Sequence, residues 1–342
     1  GAGRSEAAPV IEALSHQSMN IPTSELAKIS HVDSASLSGR FLASLTFYSQ
    51  KEWEMWVPAG NELIKTKGWP AEAFYFSEKP EHEDDIYSHF LNFLAQRANF
   101  SFIQKPYSGL VDDFYNLSAA LAKLEHFFKH KDEIGSGISR IVSTEIEYIF
   151  SVCRSIFDLL QEIISKQWKN IRLLDENIDK KDLPETFSKA ILFKGEPRTK
   201  GQFSERFGLP EQIDSFYCRY TYFFMSLRAF RDNVAHRGSS VDTIFSTEKG
   251  FAVSSETKPF SEYGVWTKDH QLPNDLCSLR PAIGYLIHQT LLACEDFSQT
   301  IPTVIRFPEE TVPGKHLFMR GFFGKHLIGN VKAIQNSEWW DV

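Results

Sequence analysis

No apolar run in this chain reaches the ~18 residues that a bilayer-crossing helix needs. The richest stretch, FYCRYTYFFMSLRAF, is interrupted by Arg219 and Arg228, so no membrane span is expected. No charged head followed by an apolar stretch opens the chain, so no secretory signal is expected either. Cysteine is scarce. Cys153, Cys218, Cys277 and Cys294 stand far apart with no CxxC spacing, and they read as buried free thiols of a reducing cytoplasm. Also missing are a Walker-type phosphate loop, a GxGxxG turn after a strand, a GxSxG elbow and an HExxH zinc motif. Basic charge is short as well: 37 Lys and Arg against 44 Asp and Glu leave a net charge of −7. Non-specific grip on nucleic acid needs phosphate neutralisation, so any such contact must rest on a local patch. The best patch lies in FKGEPRTKGQFSERFG, with Lys194, Arg198, Lys200 and Arg206.

What the chain does have is apolar and aromatic material. Hydrophobic residues make up 42% of its 342 positions and aromatics 14%, with 29 Phe, which suits a globular protein with an aromatic-rich core. Residues 1–105 read as a small α+β module of unknown role. In it RFLASLTFYS alternates Phe41, Ala43, Leu45 and Phe47, and EWEMWV alternates Trp53, Met55 and Val57 against glutamates. AFYFSEKP predicts another short strand, and EHEDDIYSHFLNFLAQRANF a helix with Ile86, Phe90, Phe93 and Leu94 on one face.

Residues 106–300 read as a helical bundle. A stripe of Phe114, Leu117, Leu121, Leu124 and Phe128 predicts a helix over 112–131, and Val142, Ile146, Ile149, Cys153, Ile156, Leu160 and Ile163 a longer one over 138–171. Pro210 opens a third helix, with Ile213, Phe216, Tyr220, Phe223, Leu227, Phe230 and Val234 in its stripe and Gly238 as its stop. TIFSTEKGFAVSS predicts a β-hairpin, and Ile283, Ile287, Leu291 and Cys294 a last helix over 279–299. Residues 301–342 read as short strands, turns and a tail. The fold class expected is therefore mainly α: a helical bundle with a β-hairpin insertion, preceded by the small α+β module.

The candidate site is AFRDNVAHRG, two turns of dense charge ending an otherwise apolar helix. Arg228, Asp232 and His236 recur every four residues and share one face, so Asp232 is placed to orient the imidazole. His236 falls in the last turn, where the helix dipole favours a cation. Arg231 lies about 140° from His236 around an ideal helix and ~7.5 Å along it, within reach of one shared phosphate. The other titratable pairs read as surface: His126 and His130 lack a third metal ligand, and Glu145 and Glu147 face different ways.

Arg, a polar residue, three further residues and His at a helix end resemble the signature of the HEPN superfamily, carried here by Arg231, Asp232 and His236 over residues 110–300. The hairpin after Gly238 also resembles members with a β-insertion before the last helix. A second copy of the spacing, Arg320 and His326 in RGFFGKH, has two glycines, no polar residue after the Arg and no apolar stripe before it. It is set aside.

The resemblance implies a metal-independent endoribonuclease with no cofactor, acting as a homodimer through the helical bundle. Arg231, Asp232 and His236 would be catalytic, with Arg228 and Asn233 supporting and Lys194, Arg198, Lys200 and Arg237 on the RNA. It also implies a toxin or anti-phage role, with a cognate inhibitor protein as partner. The alternative is a non-catalytic HEPN-like protein that binds a nucleotide or a partner, toward which the acidic net charge points.

Overall fold

The computed structural model describes the backbone of residues 21–237 and 243–335 and the side chains of 21–230 and 243–330. Its first part is built of strands. A short helix, α1 (Thr23–Leu26), precedes β1 (Thr46–Ser49), β2 (Glu52–Ala59), β3 (Glu62–Thr66), β4 (Ala73–Ser77) and β5 (Ile86–Tyr87). Then come α2 (His89–Gln96), α3 (Gln104–Lys129), α4 (Lys131–Ile134) and α5 (Ile138–Asn170). The polar middle holds α6 (Phe187–Ile191), the ribbon of β6 (Leu192–Phe193) with β7 (Glu196–Pro197), and α7 (Gln202–Phe207). The long helix α8 (Glu211–Arg237) follows, and then β8 (Phe245–Ser246), β9 (Phe251–Ser254), β10 (Gln271–Leu272) and β11 (Leu276–Ser278). Last are α9 (Leu279–Thr300), β12 (His316–Arg320) and α10 (Gly324–Gln335).

Among the described residues the strands form three sheets. The largest runs β3-β2-β1-β4-β12-β5, with β1 and β4 parallel and the other neighbours antiparallel. Its interior strand β12 comes from near the other end of the sequence and pairs with β4 from His316↔Ser77 to Arg320↔Ala73. Side chains of α2 stitch that strand in place. Gln96, fully buried, donates from Nε2 to the carbonyls of Val312 (3.0 Å) and Lys315 (2.7 Å) and accepts from Val312 N–H (2.9 Å). Asn92 Oδ1 accepts from Leu317 N–H at 2.9 Å. Arg40 completes the clasp: it donates to Asn99 Oδ1 (2.9 Å), to the carbonyls of Ser36 (3.0 Å) and Glu309 (2.9 Å), and to that of Gln96. Each buried polar group here is matched, which such a site requires.

The helices pack as a bundle on the far side of α2. Contacts run in opposite order along α5 and α8: Gln161 meets Tyr217, Phe157 meets Phe224, and Phe150 stacks on Phe230. The two helices are therefore antiparallel. Pairing of Phe216 with Phe297 and of Phe223 with Tyr285 makes α8 and α9 antiparallel too. On α3, Gly109 lets the backbone approach α5, because a Cβ there would sit 3.1 Å from Leu159 Cδ1. The C-terminal helix α10 lies against α3 and α9.

Several expectations change. The fold is α+β and not mainly α: it is about 52% helical, with a six-stranded mixed sheet and two smaller sheets among the described residues. The expected hairpin, β8–β9, is half of a four-stranded sheet ordered β10-β11-β9-β8. The helix expected from the acidic run near 81 starts only at His89, and Ile86 is in a strand. Asp85 explains this, since its carboxylate accepts from His82 N–H (2.9 Å) and Tyr75 Oη (2.8 Å) and holds the acidic run as a turn. Ser88 then caps α2, accepting from Leu91 N–H at 3.3 Å. In the tail, residues 324–335 are helical where turns were expected.

The clasp makes a stability prediction. Gln96→Ala leaves the buried Val312 N–H and the Lys315 carbonyl without partners, while the Val312 carbonyl keeps only the Lys315 N–H at 3.3 Å, and should cost about 2–4 kcal/mol in urea unfolding. A loss under about 1 kcal/mol would show that β12 is held by apolar packing alone.

Candidate functional site

The candidate motif rides on α8, so what holds that helix defines the site. Its buried stripe, Ile213, Phe216, Tyr220, Leu227 and Phe230, faces the core as the spacing requires. Polar pins fix the register. Tyr217 donates to Gln161 Oε1 on α5 at 2.8 Å, and Gln161 Nε2 donates onward to the Pro184 carbonyl at 2.8 Å. Toward α9, Arg219 and Tyr220 both donate to Asp296 Oδ2. Phe230 closes the series, its ring 3.7 Å from Phe150 and tilted by only 11°. Stacking of this kind adds about 0.5–1.5 kcal/mol beyond the area buried.

Immediately after Phe230 come Arg231, Asp232, Asn233, His236 and Arg237. Their backbone is helical, so residues 228, 232 and 236 keep their four-residue spacing. Their side chains, and Gly238 with its expected helix stop, lie outside the described residues. Arg228 is half-buried one turn earlier.

The basic patch does not join this end. Lys200 pairs with Glu211 at 2.9 Å, at the opposite terminus of α8. Twenty residues of helix separate Glu211 from Arg231, about 30 Å at 1.5 Å per residue. Within the patch, Lys194 lies over the Phe193 ring, Arg198 over Phe193 and Phe207, and Arg206 over Phe207. These cations cover aromatic surface with their stems and planes. Asp214 organises the patch and was not legible beforehand. Fully buried on α8, it accepts from Gly201 N–H (2.8 Å), Ser204 Oγ (3.0 Å) and Ser204 N–H (3.3 Å). Gly208 ends α7 at φ +70°, where a Cβ would lie 2.2 Å from the Asp179 carbonyl oxygen.

The remaining candidates resolve as follows. His126 and His130 sit side by side with ring centroids 4.4 Å apart, and no group of three metal-ligating side chains occurs among the described residues. Glu145, expected at the surface, is buried and paired with Lys123 at 2.6 Å, because the α3–α5 contact closes over it. No disulfide links the four cysteines. Burial pushes the Cys153 thiol up to about 12 and Cys218 up to about 11, the second helped by neighbouring Asp214. Neither is a thiolate near neutral pH. No described helix is long and apolar enough to cross a membrane. The set-aside pair separates: Arg320 holds Asp85 (2.9 Å) and Glu81 and stacks on Trp53, whereas His326 turns to Glu125.

Asp214→Ala should free the 198–206 segment, since charge-assisted bonds of this kind contribute about 1.5–3 kcal/mol each. Trypsin should then cut there at least about tenfold faster while the helical circular dichroism is kept. An unchanged digestion rate would mean that aromatic packing alone holds the segment.

No family model, no curated protein and no solved structure matches the chain.

Proposed function

We propose that the protein is a metal-independent endoribonuclease of HEPN type. The observation that carries this reading is the Arg231-Asp232-x3-His236 spacing on the continuous helical backbone of α8, followed by the β8–β9 hairpin. His236 takes the proton from a ribose 2′-hydroxyl, or gives one to the leaving 5′-oxygen, and positioned transfer of this kind contributes about 10²–10⁴-fold. Arg231 stabilises the charge on the pentacovalent phosphorane with two parallel donors, a geometry lysine lacks. Asp232 fixes the imidazole tautomer, and Arg228 and Asn233 support it. The attacking oxygen belongs to the substrate, so the product carries a 2′,3′-cyclic phosphate and DNA is spared.

A homodimer joined through the bundle would bring two motifs to one cleft. Lys194, Arg198 and Lys200 would meet the RNA about 30 Å from the reacting phosphate, with Arg237 beside it. A toxin or anti-phage role in the cytoplasm, restrained by a cognate inhibitor, follows from the same reading. A second reading, non-catalytic binding of a nucleotide or partner, is favoured by the net charge of −7 and by the distance of the basic patch from the motif.

Incubation with total RNA tests both. The wild type should release fragments ending in 2′,3′-cyclic phosphate with EDTA present. Arg231→Ala and His236→Ala should each lower the rate by at least about 10²-fold with the fold intact. Cleavage that persists in both variants, or stops with EDTA, overturns the nuclease reading. RNA or nucleotide binding without cleavage selects the second.

A further inference from the structure

Between α3, α9 and α10 lies a cavity of about 260 Å³. Leu124 and Ile283 form part of its apolar wall, and Glu125, Arg280, Lys325, His326 and Asn330 supply the polar one. Asn330 is buried and held by a bond from Nδ2 to the Gly284 carbonyl at 3.2 Å, which ties α10 to α9 at this point.

Charge around the cavity is uneven. Its carboxylate, Glu125, is already engaged twice: Lys129 Nζ is 2.6 Å from Oε1, and His326 Nδ1 is 2.7 Å from Oε2. Lys325, on the adjacent residue of α10, has no carboxylate partner among the described residues. Arg280 is the second residue of α9, a 22-residue helix whose N-terminus has no side-chain cap, so the positive end of the helix dipole adds to the same wall. With Nδ1 turned to Glu125, the imidazole keeps Nε2 for a ligand. Burial lowers the His326 pKa, with Lys325 and Lys129 adding to this and Glu125 opposing it. A neutral ring therefore accepts at Nε2 from a protonated phosphate, and a protonated one donates.

We infer that this cavity binds a small phosphorylated molecule, its phosphate held by Lys325, Arg280 and His326 and its organic part against Leu124 and Ile283. A guanidinium, an ammonium and an imidazole lining one cavity match a tetrahedral oxyanion with several acceptor oxygens better than a single carboxylate. The volume is below the usual 300–1,000 Å³ of drug-sized sites, which limits the ligand to a phosphate with a compact organic group. Nothing in this inference depends on the nuclease reading.

The test is titration of the full chain with inorganic phosphate and, separately, with acetate and chloride at matched ionic strength, following the His326 ring signals by NMR. Phosphate should move them saturably and the other anions should not. Lys325→Gln, an exposed change that spares the core, should weaken the phosphate effect at least fivefold, and Arg280→Gln at least tenfold. Equal shifts with chloride, acetate matching phosphate, or a wild-type response in Lys325→Gln would each overturn the proposal. Should Arg280→Gln fail to fold, Lys325→Gln with His326→Asn, read by calorimetry, gives the same decision.

Discussion

The clamping of α8 between α5 and α9 is the constraint on which the rest of the molecule depends. Aromatic stacking at Phe150 and Phe230, the Tyr217–Gln161 bond and the shared acceptor Asp296 leave the helix one axial position. A one-residue slip would break all three at once and turn the buried stripe toward solvent. Because α8 is fixed, its ends are fixed too: Asp214 organises the basic segment at one, and the Arg231–His236 turns leave the other. The antiparallel course of α9 brings its N-terminus, and with it Arg280, to the second of these ends. The start of α9 and the end of α8 therefore share one pole of the bundle, with the basic segment at the other.

Several other cations have partners within the fold. Lys123 answers the buried Glu145, Arg320 answers Asp85, and Lys200 answers Glu211. Arg198 and Arg206 lie flat on phenylalanine rings. A count of basic residues is thus a poor guide to the positive charge that this fold leaves facing solvent.

Long periodic segments were legible in the sequence because one face of a long helix must be apolar. The stepped residues of α5, α8 and α9 mark those helices within a residue or two at most boundaries. What stayed hidden depends on distant partners. His316 to Arg320 gives only five residues of pattern, and its place in the sheet is set by Ala73 to Ser77 and by Gln96. Ile86 follows the helical stripe, yet Asp85 bends the chain before the helix can start. Glu145 and Glu147 look alike in sequence, yet Glu145 is buried against Lys123 and Glu147 is half-buried. At the candidate site the spacing and the helix were legible from apolar period alone. The Glu125–His326 pair was not, since α3 and α10 meet only in the folded chain and the glycines around His326 argue against the helix that carries it.

The interior position of β12 also governs how the protein can be made. Synthesis from the N-terminus leaves the β12-facing edge of β4 bare while the whole bundle emerges, and along Phe74, Tyr75 and Phe76 every second backbone amide on that edge is then unpaired. A bare apolar strand edge is a template for pairing with other chains. Until residue 320 has left the ribosome, this layer is an open seam, and the nascent chain must be shielded or must fold its helices first.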